Sequence, residues 1–160
     1  MVTAVPMPAN SNRPDPDDVA DDNGRMSATL ARAEAAIADL TRDYARWALA
    51  DVAKARAALA SAIADPQHRA GHVEAMFRVA HDLKGQGSSF GFPLVTKLGH
   101  SLCALTRDRA LEYQASHLDL AASHLDAIQL VLSKGIKGEG GKVGAELVAK
   151  LEGRVAELLG

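Results

Sequence analysis

From Ser27 onward, apolar residues recur at the three-to-four-residue spacing of a helix with one buried face: Leu30, Ile37, Leu40, Tyr44 and Trp47. Tyr44 and Trp47 read as the core anchors of this first helix. The stripe then changes phase to Val52, Ala55, Leu59 and Ile63, which predicts a bend or break near residues 48–51. Asp65-Pro66 is a helix stop, because the residue before proline avoids helical angles. The next helix turns Val73, Met76, Phe77, Ala80 and Leu83 inward and runs through Lys84 towards the Gly87–Gly91 region. Gly91 suits a helix C-terminal cap, and Pro93 suits the first turn of a helix holding Leu94, Leu98, Leu102 and Leu105. Ser116 with Asp119 resembles a loose capping box for a helix carrying Leu118, Ala121, Leu125, Ile128 and Leu132. After a glycine-rich break at 135–141, Val143, Leu147, Leu151, Val155 and Leu158 mark a final helix.

This makes about six helical segments with short connections and no alternating strand pattern. Short loops favour antiparallel neighbours. The expected fold is all-α: an antiparallel four-helix bundle at residues 43–133, with additional N- and C-terminal helices. Residues 1–25, rich in proline and aspartate with little to bury, read as a disordered acidic tail, and 26–160 as a single helical domain. Composition agrees, since apolar residues are 48% of the chain but aromatics only 4%, the balance of helices packed through small aliphatic side chains.

A formal net charge of −2 gives no general attraction to nucleic acid or to an acidic membrane surface. The single cysteine, Cys103, excludes an internal disulfide and a Cys-rich zinc site, and reads as a small buried hydrophobe. With no membrane-spanning apolar run and no hydrophobic N-terminal signal, a soluble cytoplasmic protein is the expectation.

The chemistry concentrates in Ala80-His81-Asp82-Leu83-Lys84-Gly85-Gln86-Gly87-Ser88-Ser89-Phe90-Gly91. Residues three and four apart are neighbours on a helix, so Lys84 and Gly85 lie one turn beyond His81. His81 falls about a quarter-turn from the centre of its helix's apolar stripe, at the edge of a rigid scaffold. An imidazole with an unperturbed pKa of about 6.5 is a competent neutral nucleophile at pH 7. Lys84 supplies a cation for phosphoryl oxygens, and Gly85 withholds a side chain where a second protein must approach. No Gly-rich nucleotide loop and no Mg²⁺ carboxylate cluster is present, so the chain is not expected to use ATP by itself.

The spacing His-x-Leu-Lys-Gly (His81, Leu83, Lys84, Gly85), with Gly91 ten residues after the histidine, resembles the motif of histidine-containing phosphotransfer (HPt) domains. The likeness continues through Leu98, Gly99 and Leu102. It implies a free-standing phosphorelay carrier that takes a phosphoryl group on His81 from the receiver-domain aspartate of a hybrid histidine kinase and passes it to a response regulator. It implies no cofactor on this chain, with Mg²⁺ held by the partner receiver domain, and a docking patch including Phe77, Arg78, Gln86, Ser88, Ser89 and Phe90. Several HPt domains place a glutamine twenty-two residues after the histidine to fix its tautomer; here that position is Cys103, and either Gln86, Ser88 or His100 supplies the bond instead or none exists.

Two rival readings stand beside this one. The first is a non-phosphorylated helical adaptor that binds and occludes a receiver domain. The second is a metal-binding bundle using His68 and His72, four apart, with a distant ligand; lacking an evident third ligand, the pair reads better as a solvated helix face. His117 and His124 receive the same solvated-face reading.

Overall fold

The computed structural model describes residues 2–7 and 15–160, with the side chains of Asp17 and Asp18 left aside. The described residues form five α-helices: α1 (Pro16–Ala64), α2 (Arg69–Gln86), α3 (Pro93–Thr106), α4 (Ala115–Lys134) and α5 (Gly141–Leu159). Two 3₁₀ turns, Pro66–His68 and Ser88–Phe90, flank α2. By their internal packing the residues divide into two units, Met1–Asp39 and Leu40–Gly160.

In the first unit, residues 2–7 are exposed and without regular structure, whereas residues 16–25 belong to α1. The acidic stretch expected to be disordered is therefore helical from Pro16; the part of that expectation covering residues 8–14 lies outside the described residues. An ion pair between Arg25 and Asp21, one turn apart at 2.6 Å, decorates this stretch.

The second unit carries the core. Residues 40–64 of α1 contribute Tyr44, Ala48, Val52, Ala55, Leu59 and Ala62, which pack with the apolar faces of α2, α3, α4 and α5. The phase change at 48–51 does not break the helix. Ala48, Val52, Ala55 and Leu59 continue the buried face from Tyr44, and small alanines let α1 approach its neighbours closely. The stripe through Leu30, Ile37, Leu40 and Trp47 lies instead on an exposed face, so Tyr44 is a core anchor and Trp47, 55% exposed, is not. Ile63 and Val143 are likewise exposed.

Asp65-Pro66 ends α1 as the sequence requires. Arg69 then fastens the corner, its guanidinium donating to the carbonyls of Ala62 and Tyr113, both at 2.9 Å. Helix α2 buries Val73, Met76, Ala80 and Leu83. It runs antiparallel to α3: Gly87 near its end lies against Phe92 and Thr96, while Ala80 and Lys84 lie against Gly99. A Cβ on Gly99 would stand 2.9 Å from the Lys84 backbone nitrogen and 3.1 Å from the Ala80 carbonyl oxygen. The two helices thus touch backbone to backbone directly behind the His81 turn.

Helix α4 opens on Gln114, whose side chain caps the His117 backbone while the His117 ring, through Nδ1, accepts from the Gln114 backbone N–H at 3.0 Å. Ser116 and Asp119 do not form the cap. His117 and His124 are both buried rather than solvated. His124 Nδ1–H donates to the Leu120 carbonyl (2.7 Å), leaving Nε2 to accept from the Ser101 hydroxyl (2.8 Å) and join α4 to α3. A histidine can enter the core when both ring nitrogens are satisfied in the neutral state. Helix α5 packs on α3 and α4 through Val148, Leu151 and Val155, and the loop before it docks by a Gly138 N–H to Gly91 carbonyl bond of 3.2 Å. No described helix is long and apolar enough to cross a membrane.

Two outcomes follow from this packing. Gly99→Ala gains about 1 kcal/mol of helix propensity but forces α2 and α3 apart at a cost of about 1–3 kcal/mol; we expect a net loss of up to about 2 kcal/mol in urea unfolding. Burial holds the His124 imidazole below its ordinary pKa. Below about pH 6.5 the unfolded chain then takes up a proton that the folded chain resists, so stability falls as pH decreases through that value. A urea midpoint tracked from pH 7.5 downward checks the sign.

Candidate functional site

The 3.6-residue period of α2 places Val73, Met76, Ala80 and Leu83 in the core and leaves His81 exposed. Its side chain is 68% accessible although its helix neighbours Ala80 and Leu83 are buried. A mobile loop could not hold an imidazole this open in so fixed a position. The ring lies beside that of Phe77, one turn earlier, with centroids 6.1 Å apart and planes inclined at 43°. Phe77 is itself half-buried against the core. Asp82 Oδ1 lies 3.9 Å from His81 Nδ1, an ion-pair distance too long for a hydrogen bond.

Lys84 and Gly85 follow one turn later on the same side of the helix. Lys84 is half-buried and Gly85 exposed. A Cβ on Gly85 would meet nothing within 4 Å, so its missing side chain leaves a clear surface rather than an internal packing gap. Arg78, one turn before His81, is exposed and paired to Glu74 at 2.9 Å. Glu74 also receives Arg109 from the loop after α3, at 3.0 Å, which ties α2 to the end of α3.

At the other end of the site, Gln86, Ser88 and Ser89 are exposed. Ser88 is committed to α3, its N–H and hydroxyl both donating to Thr96 Oγ1, at 2.8 and 3.0 Å. Phe90 is half-buried and stacks on Tyr44, centroids 4.5 Å apart and planes 4° from parallel. It caps the core more than it presents a docking surface. Gly91 adopts φ +85°, a left-handed conformation that favours glycine, and ends the 3₁₀ turn.

Cys103 is buried on α3. Burial pushes its thiol up, and the charges of Lys84 and Arg107 pull it partly back. It brings no amide to the His81 ring. Among the described residues, none of Gln86, Ser88 or His100 hydrogen-bonds that ring, so Phe77 and Asp82 are its observed side-chain neighbours.

The remaining histidines lie elsewhere. His68 and His72 converge on the Asp65 carboxylate at the α1–α2 corner, at 2.9 and 3.5 Å, and their hydrogen bonds hold Asp65 below the usual carboxylate range. Among the described residues, no group of three or more His, Cys, Asp or Glu side chains is arranged to hold a metal ion.

Sequence reasoning singled out His81, Lys84 and Gly85 but passed over the supports beneath them. Thr96 as the anchor of Ser88 carried no periodic signal, and Tyr44 stacking on Phe90 joins residues far apart in sequence.

The Hpt domain family model matches residues 26–132, two thirds of the chain. The chain belongs to the Hpt domain family. No curated protein and no solved structure matches it. Membership of the Hpt family makes phosphotransfer in two-component signalling its field of action, and receiver domains the class of protein its relatives meet. The match spans most of α1 and all of α2, α3 and most of α4, and so includes the His81 turn; α5 lies beyond it.

Removing the ring beside the imidazole tests the local geometry. Phe77→Ala should cost about 2–4 kcal/mol of stability, at the lower end for a half-buried site, and change the His81 ring's proton chemical shifts while leaving the helical circular-dichroism signature in place.

Proposed function

We propose that His81 is the phosphoacceptor of a phosphorelay, taking its phosphoryl group from a receiver-domain aspartate of a hybrid histidine kinase and delivering it to a response regulator. The observation that carries this reading is an open imidazole on a core-anchored helix, one turn ahead of an open glycine. In the forward step the neutral imidazole, protonated at Nδ1, attacks phosphorus through Nε2. The N–P bond forms as the P–O bond to aspartate breaks, the carboxylate leaves with the bonding pair, and Nδ1 keeps its proton. Positive charge that develops on the ring faces Asp82, and the Lys84 ammonium can follow the phosphoryl oxygens. Such transfer needs positioning and charge compensation more than covalent machinery. Mg²⁺ belongs to the partner's aspartate pocket in this scheme, the carrier has no ATP site of its own, and the reaction takes place in the cytoplasm.

Docking surrounds the His81 turn. Phe77, Arg78, Gln86, Ser88 and Ser89 form the rim in this proposal, with Phe90 contributing only its outer edge. A second reading draws support from Cys103: without a ring-orienting amide, the chain acts as an adaptor that covers a receiver domain without being phosphorylated. Incubation with a phosphorylated receiver domain separates them. Label should move to the wild-type chain and not to His81→Gln; a wild-type chain that binds but takes no label is an adaptor.

Two variants probe the assigned roles. Lys84→Ala should slow transfer or shorten phosphohistidine lifetime by roughly tenfold, about the 1.4 kcal/mol of one charge-assisted contact, with unfolding little changed. Gly85→Leu should raise thermal stability by up to about 1 kcal/mol yet depress the transfer rate, because the new side chain fills only the approach. A rate equal to wild type would remove Gly85's role.

A further inference from the structure

Within the first unit, α1 exposes Val19 (46%), Met26 (71%), Leu30 (59%) and Ile37 (63%). Asn23 and Ala33 fill the gaps, so that Val19, Asn23, Met26, Leu30, Ala33 and Ile37 follow one another at alternating spacings of four and three. That is a heptad seam, with Asn23, Leu30 and Ile37 at a positions and Val19, Met26 and Ala33 at d. The helix needs what such a seam provides. Helical stability in water comes mainly from packing an apolar face, and Gly24 inside the stretch costs about 1 kcal/mol relative to alanine.

The occupant is a second copy of this chain, for two reasons. An asparagine at an a position in a parallel two-stranded pair meets the same asparagine of the other strand, where each amide donates to and accepts from its twin; a partner with an apolar residue there would strand it. The flanks agree. In a parallel pair each g residue faces the e residue five positions on, so Asp22 meets Ser27 and Thr29 meets Glu34. Asp22 therefore faces the Ser27 hydroxyl, Thr29 spends its own hydroxyl on the Arg25 carbonyl at 2.9 Å, and no like charges face each other across the seam. We infer that the N-terminal stretch of α1 forms a parallel, in-register coiled-coil dimer through the Val19–Ile37 seam. The dimer would carry two His81 side chains, and its formation does not depend on how His81 is used.

Sedimentation velocity of the full chain at about 50 μM should give twice the 16.8 kDa chain mass. Leu30→Asp should return the single-chain mass with the bundle's thermal transition retained, whereas Asn23→Leu should tighten association at least tenfold or populate larger assemblies. Leu30→Cys should oxidise to a covalent dimer, since a-position residues face each other only in the parallel register; Cys103, being buried, leaves the wild type uncrosslinked. A wild-type chain of single mass, a dimer that survives Leu30→Asp, or association unmoved by Asn23→Leu would overturn the inference. Failure of Leu30→Cys to crosslink would overturn the parallel register.

Discussion

The backbone contact between α2 and α3 at Gly99 is the constraint on which the site rests. Because Gly99 has no side chain, the α2 backbone at Ala80–Lys84 lies directly on α3, immediately behind His81. The apolar stripe of Val73, Met76, Ala80 and Leu83 supplies the burial, and the glycine fixes the distance. Interiors packed to this density move little under load. An exposed side chain one residue away is therefore held by its helix although nothing encloses it. The Ser88–Thr96 bonds and the Phe90–Tyr44 stack close the far end, so the turn that follows His81 is tied to both α3 and α1.

The histidines of this chain divide by their partners. His124 spends both ring nitrogens on Leu120 and Ser101, and His117 spends Nδ1 on the start of α4 with its Nε2 buried. Those rings are structural, unable to meet another protein. His68 and His72 share Asp65. His81 alone combines wide exposure, a cation one turn ahead and a side-chain-free approach. The proposed role of His81 rests on a ring left unspent while four of the other five histidines are committed to partners.

Much of this was legible in the sequence. Proline at 66 and 93, glycine at 91 and the leucine periods of α3 and α4 placed most helix ends and inward faces correctly, because those signals are local. The His81-x-Leu83-Lys84-Gly85 spacing pointed to the candidate site, and Gly99 stood in the same resemblance. What failed was non-local. Trp47 looked like core because periodicity reports which residues share a face, not whether another element covers that face. The apparent break at 48–51 was a change of face within one continuous helix. His117 and His124 looked solvated because polar residue type outweighed their place on the buried side of α4. The α4 cap eluded prediction since a histidine ring took the role usual for Glu or Gln.

The central claim is that phosphate is carried on one imidazole, and site mapping tests it most directly. The chain would be phosphorylated by a phospho-receiver domain, kept at alkaline pH where phosphohistidine survives, and digested for peptide mass spectrometry with electron-based fragmentation. The account predicts an acid-labile phosphoryl group on His81 alone, with a ³¹P shift of N-linked phosphate at Nε2. Phosphate on His68, His72 or His100, or an acid-stable ester on Ser88 or Ser89, would contradict it.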